Sequence, residues 1–233
     1  MAMQKKTAYH HGNLKDTLVL VALSALEETP WENLSLRQLA KQAGVTPTAA
    51  YSHFKDKIEL LVAVKAEAFK GFFNYLNESV TVAAPADEKQ HLVALALAYI
   101  AYNKEHTAVY SLLFSWAPTQ DRITEDLMTS AAKCEMLIQA AIANYLTSIE
   151  QHYSDYSQAV ASFFSWALAH GVSTLISGGN VQAATMCNNF PKEFMFTDQE
   201  SSTRILNDLL TILFAGMEYG LPSISSAPGG GGI

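Results

Sequence analysis

The stretch LSLRQLAKQAGVTPTAAYSHFKDKIELL, from Leu34 to Leu61, constrains the fold more than any other part of this chain. Ser35 and Gln38 have the spacing of a capping box, in which hydroxyl and amide satisfy the first N–H groups of a helix, so a helix begins near Leu36. Leu36, Leu39, Ala40 and Ala43 give that helix one apolar face. Gly44 then supplies a residue able to take the left-handed conformation that ends it. Val45 can plug the corner, Thr46 is a good N-cap, and Pro47 sits at the first helical position, where its missing N–H costs nothing. A second short helix is thus predicted from Pro47 through His53. Phe54 faces inward as an anchor, and Asp56 caps a longer helix in which Ile58, Leu61, Val62 and Lys65 come next.

The side chains left pointing outward decide what this arrangement can touch. Thr48, Ala49 and Ser52 are small or hydroxylic, so the second helix can approach base edges in a groove; Thr48 can hydrogen-bond a base or touch a thymine methyl. Thr46, Tyr51, His53 and Lys57 carry donors suited to phosphate oxygens, and Lys57 stands at a helix start, where free N–H groups also favour an anion. Arg37 can reach a phosphate or a base edge. The candidate DNA-contacting set is Ser35, Arg37, Gln38, Thr46, Pro47, Thr48, Ala49, Tyr51, His53 and Lys57.

No strand pattern interrupts the rest, so the expectation is an all-α chain of nine or ten helices. Asn13 can cap a first helix with a Leu14, Leu18, Val21, Ala22, Ala25 stripe, ended by Pro30. The helix from Lys57 runs toward Asn77, and Pro85 marks a break. Further helices are predicted from Asp87 to Lys104, His106 to Trp116, Asp121 to Glu150, Asp155 to Ile176 and Glu200 to Tyr219. Gly178-Gly179-Asn180 stops the helix that reaches Ile176, and residues 181–199 read as a connection with one short helix. Pro222 and the Gly229–Gly232 run close the chain with a flexible tail, residues 221–233.

With 233 residues, 49% of them hydrophobic, the chain can bury one small core and one of ordinary size. The net charge of -7 is unevenly placed: seven Lys or Arg against six Asp or Glu fall in residues 1–60, and eight against sixteen in the remainder. The acidity therefore sits away from the segment that would meet phosphate. Lys5 and Lys6 form either a flexible arm for a DNA groove or an unstructured terminus. No run approaches 18 uninterrupted apolar residues and no signal peptide opens the chain, which makes a soluble cytoplasmic protein the expectation. Cys134 and Cys187 lack partners at ligand spacing and read as two free buried thiols, with a redox sensor as the alternative. No HExxH, P-loop, GxSxG or dinucleotide-binding glycine pattern occurs, and neither metal nor cofactor is expected, so catalysis is not.

The Leu34–Leu61 segment resembles the DNA-binding domain of the TetR family of bacterial transcriptional regulators. The likeness is carried by LSLRQLAKQAGV, by Tyr51-Ser52-His53-Phe54 and by Lys55-Asp56-Lys57 leading into Ile58-Glu59-Leu60-Leu61. Tyr9-His10-His11-Gly12-Asn13-Leu14 and Trp166-Ala167-Leu168-Ala169-His170-Gly171 are similar to stretches of one subgroup, whose C-terminal domain carries a Trp and His-Gly signature. Pro47-Thr48-Ala49-Ala50 departs from the pattern, since many members carry glycine or a larger residue there.

The resemblance implies residues 1–56 as a DNA-binding domain, with the connecting helix beginning at 57 and reaching about 72, and residues 57–220 as a helical ligand-binding and dimerisation domain. It implies an inducer cavity among the middle helices, with Phe69, Phe73, Tyr99, Tyr102, Phe114, Trp116, Met136, Trp166 and His170 as candidate lining residues, although aromatics at helical spacing also simply fill cores. Few charges lie there, which favours a small apolar or weakly polar ligand. Helices 155–176 and 200–219 are apolar on more than one face and so have a face for a partner. Gly171, Leu175, Leu209, Leu213 and Gly216 are the candidate homodimer contacts. The function implied by the resemblance is that of a ligand-responsive homodimeric repressor on a palindromic double-stranded DNA operator; the alternative is a helical interaction or scaffold protein without specific DNA binding.

Overall fold

The computed structural model describes residues 14–187, 191 and 199–222. Asn13 and the preceding Tyr9–Gly12 motif, Lys5, Lys6 and the glycine-rich tail lie outside them. Among the described residues every regular element is helical: α1 (Leu14–Ala25), α2 (Leu36–Gln42), α3 (Pro47–Tyr51), α4 (Lys57–Ala83), α5 (Glu88–Glu105), α6 (Thr107–Phe114), α7 (Glu125–Ser148), α8 (Asp155–Ser177), α9 (Asn180–Met186) and α10 (Gln199–Tyr219). Short 3₁₀ turns occupy Trp31–Asn33 and Gln120–Arg122. The chain forms two compact units. One comprises residues up to Gly71 with His106–Ala131, the other Phe72–Glu105 with the residues from Ala132 onward.

The first unit packs α1, α2, α3, the start of α4 and α6 around Leu18, Ala22, Leu39, Ala40, Phe54, Leu61 and Leu112, all essentially without solvent exposure. Each enclosed leucine contributes on the order of 2 kcal/mol by leaving water. α1 ends at Ala25 rather than at Pro30. Leu26 is drawn into the core and its N–H bonds back to the Ala22 and Leu23 carbonyls, so the chain leaves the helix axis early. Pro30 instead caps the 3₁₀ turn, whose Trp31 ring packs 5.6 Å from Trp116.

One cap and two further boundaries differ from the spacing. Ser35 takes the extended N-cap conformation of α2, but its side chain makes no capping bond, so the expected Ser35–Gln38 box does not form. Gln38 is exposed and Ser35 half-buried, which leaves water able to satisfy the same N–H groups. α3 stops at Tyr51, two residues short of His53, because Phe54 is pulled fully inward and the chain must turn to bring it there. α4 extends to Ala83 rather than Asn77, since nothing before Pro85 breaks it.

α7 begins at Glu125, later than predicted, with Thr124 Oγ1 accepting from the Leu127 N–H at 3.3 Å. The 3₁₀ turn takes up Gln120–Arg122 in place of a helical start at Asp121. The short helix expected in the 181–199 connection is α9, set off from α8 by Gly179 at φ +70°.

In the second unit α5 packs against α8 and α10. Phe72 lies 5.4 Å from the Tyr99 ring and 4.7 Å from the Tyr102 ring. Asn103 is buried and its amide donates to the Ser173 carbonyl, Ser173 Oγ and Ser177 Oγ, so α5 and α8 are fixed in register by polar as well as apolar contacts. α8 is the one described helix long and apolar enough to cross a membrane, with a mean hydropathy of 1.4 over 18 residues, yet only 22% of that window is buried in the chain.

Candidate nucleic-acid interface

The turn between α2 and α3 is built by backbone hydrogen bonds around Gly44, whose φ is +71°. The Val45 N–H reaches back to the Ala40 carbonyl at 2.9 Å and the Gly44 N–H to Lys41 at 3.1 Å, a Schellman ending. Thr46 comes next in extended conformation, its Oγ1 accepting from the Ala49 N–H at 3.2 Å, and Pro47 opens α3. One face of α3 is anchored by fully buried Ala50; Pro47, Thr48, Tyr51 and Ser52 are exposed and Ala49 is half-buried. Arg37, Gln38 and His53 are exposed as well.

The start of α4 is fixed from both sides. Asp56 Oδ1 accepts from the Glu59 N–H at 2.8 Å, and the Glu59 carboxylate accepts from the Lys55 N–H at 2.7 Å. Arg122 Nη1 donates to Asp56 Oδ2 at 3.0 Å. The Glu59 N–H first, and then Arg122, hold the Asp56 carboxyl below the usual carboxylate range. Lys57 donates its ammonium to the Glu32 carbonyl, and partial burial pushes its amine down. It ties α4 to the 3₁₀ turn as well as standing at the helix start.

In the second unit an apolar cavity of about 40 Å³ has Leu76, Leu92, Tyr99, Trp166, Leu210 and Leu213 in its wall. Trp166 Nε1 donates to Tyr99 Oη at 3.3 Å, and Tyr99 Oη lies 2.9 Å from His170 Nδ1. Burial pushes the His170 imidazole below its ordinary value, which favours the neutral ring.

Residues 18–64 match the sequence model described as bacterial regulatory proteins, tetR family, and residues 92–190 match that described as tetracyclin repressor-like, C-terminal domain. The two matches together take in more than half of the chain. It belongs to the tetR family. The members of that family are DNA-binding transcriptional regulators and not enzymes. Among solved structures, a protein of unknown function from Rhodococcus sp. RHA1 is similar at TM-score 0.69 and 24% identity, over 91% of this chain and 98% of that one. A putative transcriptional regulator from Pseudomonas aeruginosa PAO1 is similar at TM-score 0.61 and 16% identity, over 88% and 90%. A tetR-family transcriptional regulator from Streptomyces coelicolor is similar at 0.59 and 16%, over 88% and 82%. At these identities the likeness is one of fold. No curated protein matches the sequence.

In this tetR-family regulator the ligand candidates separate into groups. Tyr99 and Trp166 line the cavity and His170 stands one hydrogen bond behind them. Phe69, Phe114 and Trp116 belong to the first unit, where Phe69 and Phe114 meet edge to face at 6.1 Å and Trp116 packs on Trp31. Tyr102 is buried under Phe72, and burial pushes its phenol up to about 12. Phe73 is half-buried, and Met136 is 63% exposed on α7.

Of the interface candidates, Leu175 and Gly216 are exposed, Gly171 and Leu209 half-buried, and Leu213 is buried as a cavity wall. Phe163, Phe164 and Ile212 are more exposed than any of these leucines, and the sequence reading missed them. Their signal was the second apolar stripe on α8 and α10. Lys41 and Lys55, exposed cations flanking α3 in sequence, were missed in the same way, although a phosphate surface calls for such charges.

Proposed function

We propose that this regulator is a ligand-responsive homodimeric repressor, acting in the cytoplasm on a palindromic operator that α3 reads in the major groove. The observation that carries this reading is the double character of α8 and α10. Trp166, Leu210 and Leu213 face a cavity, while Phe163 and Phe164 of α8 and Ile212 of α10 stand 57 to 73% exposed. Large apolar side chains left exposed on both helices suit burial against a partner, and a second copy is the partner whose two-fold symmetry gives two reading heads. Two heads call for half-sites about 34–36 Å apart, or a multiple of it.

Cavity size sets what a ligand would have to do. A cavity of about 40 Å³ is far smaller than the roughly 150 Å³ that holds a benzene ring, so a ligand of aromatic size must spread its walls. Leu76 of α4 is one of those walls, and α4 begins at Lys57, directly after the reading segment. With the spread state also the one that fits the operator poorly, a ligand that binds it more tightly lowers operator affinity by the same factor by which operator lowers ligand affinity. The apolar walls and the Tyr99–Trp166–His170 hydrogen bonds suit a small apolar or weakly polar molecule.

The test combines sedimentation of the full chain with salt-titrated binding to upstream genomic and random DNA. A dimer with one sequence held far above background supports the reading; equal affinity for all DNA, or a monomer, refutes it.

A further inference from the structure

We propose that α3 selects its operator through the C5 methyl groups of thymine, so that the base pairs beneath Pro47, Thr48 and Ala49 are T·A pairs read by apolar contact. The inference rests on α3 being the groove-reading helix and names the bases it reads.

α3 is five residues long, Pro-Thr-Ala-Ala-Tyr, and carries no amide, guanidinium, ammonium or carboxylate. None of its side chains can therefore make the bidentate contacts by which arginine or lysine reads guanine and asparagine or glutamine reads adenine. The hydroxyls flanking it are engaged with its own backbone. Thr46 Oγ1 accepts from the Ala49 N–H at 3.2 Å, and Ser52 Oγ donates to the Ala49 carbonyl at 2.7 Å. The N-terminal part of the helix offers the exposed Pro47 ring, the exposed Thr48 hydroxyl and methyl, and the half-buried Ala49 methyl. Three of these four groups are apolar.

The major-groove edges of the base pairs present hydrogen-bonding groups throughout, and the thymine C5 methyl is the apolar group among them. An apolar protein surface laid against any other edge leaves base donors and acceptors without water and without partners, which is costly. Laid against thymine methyls it buries carbon against carbon. Alanine and threonine methyls are the small side-chain groups suited to that contact, and Thr48 keeps one hydroxyl for a neighbouring acceptor. The side chains able to make bidentate purine contacts lie outside α3, among them exposed Arg37, Gln38 and Lys41 of α2.

The experiment selects duplexes with the full chain from a randomised DNA pool, footprints the winner, and replaces each thymine singly by deoxyuridine, which lacks only the C5 methyl. Affinity is expected to fall about fourfold for each methyl buried under α3, with no change at other thymines. Thr48→Ser, which keeps the hydroxyl and loses the methyl, should weaken binding to the thymine duplex about fourfold and lose that effect on the matching deoxyuridine duplex. A selected sequence whose affinity ignores every deoxyuridine, or a Thr48→Ser loss that is the same on both duplexes, overturns the thymine assignment while leaving α3 as the reading helix. A pool that yields no preferred sequence overturns the reading helix, and the thymine assignment with it.

Discussion

Arg122 Nη1 lies 3.0 Å from Asp56 Oδ2, joining the 3₁₀ turn ahead of α7 to the residue that caps α4. The two partners do unequal work. Both side chains are about 40% exposed, so the ion pair itself contributes at most about 1 kcal/mol. Asp56 also accepts the Glu59 N–H, and removal of such a cap costs about 1 kcal/mol in addition. Asp56→Ala should therefore lower unfolding stability in urea clearly more than Arg122→Ala. The Asp56 carboxyl is depressed in the folded chain, so its contribution is complete above its ordinary value of 3.8 and fades as pH falls through the folded value. The gap between wild type and Asp56→Ala should close in acid.

Gly44 holds the turn at φ +71°, and a Cβ placed there would meet nothing within 4 Å. The cost of Gly44→Ala is thus one of backbone conformation alone, about 1–2 kcal/mol, and Gly44→Asn should recover part of it because asparagine tolerates the left-handed region. Urea denaturation of the two variants measures this. A loss well beyond that range in the alanine variant would mean that the site is crowded.

The exposed apolar side chains of α8 and α10 predict a different pair of outcomes. Phe163→Glu combined with Ile212→Glu places charge where a partner would be buried, and should leave a folded monomer whose operator affinity is lower by about a hundredfold or more. Leu213→Ala opens space beside the cavity instead, costing about 2–5 kcal/mol of stability while the dimer persists. Sedimentation and thermal unfolding separate the two. A dimeric double variant would place the interface elsewhere.

The local parts of this fold were legible because they are local. Gly44, Thr46 and Pro47 act on their own backbone, and each stands where its spacing puts it. Ser35 and Gln38 show the limit of that logic, since a capping box competes with water and here water is within reach. The aromatic candidates were harder to place. Phe69, Phe72 and Phe73 are neighbours in sequence on α4, but Phe69 meets Phe114 in one unit and Phe72 meets Tyr99 in the other. Helical periodicity says which residues turn inward and is silent about which neighbour they find. Lys65 was legible only as a position on a helix, and its burial comes from the α6 segment folding over it.

That burial makes Lys65 the clearest source of pH dependence in the first unit. It is 7% exposed, its ammonium donates to the Trp116 carbonyl, and it lies 5.4 Å from the Trp116 ring and 6.0 Å from Phe69. Burial pushes its amine down to about 8, against 10.5 in the unfolded chain. Between those two values the unfolded chain binds more protons than the folded one, so unfolding free energy rises with pH across the window, by on the order of 3 kcal/mol in all. Below about 8 the folded chain carries the buried charge and the gain is absent. Lys65→Met keeps the length and apolar stem without the charge, so it should be more stable than wild type at neutral pH and should lose the rise toward 10.5. Urea denaturation of both proteins across this range gives the answer: the two stability curves should converge as pH increases, and parallel curves would show that Lys65 has no buried-charge cost to relieve.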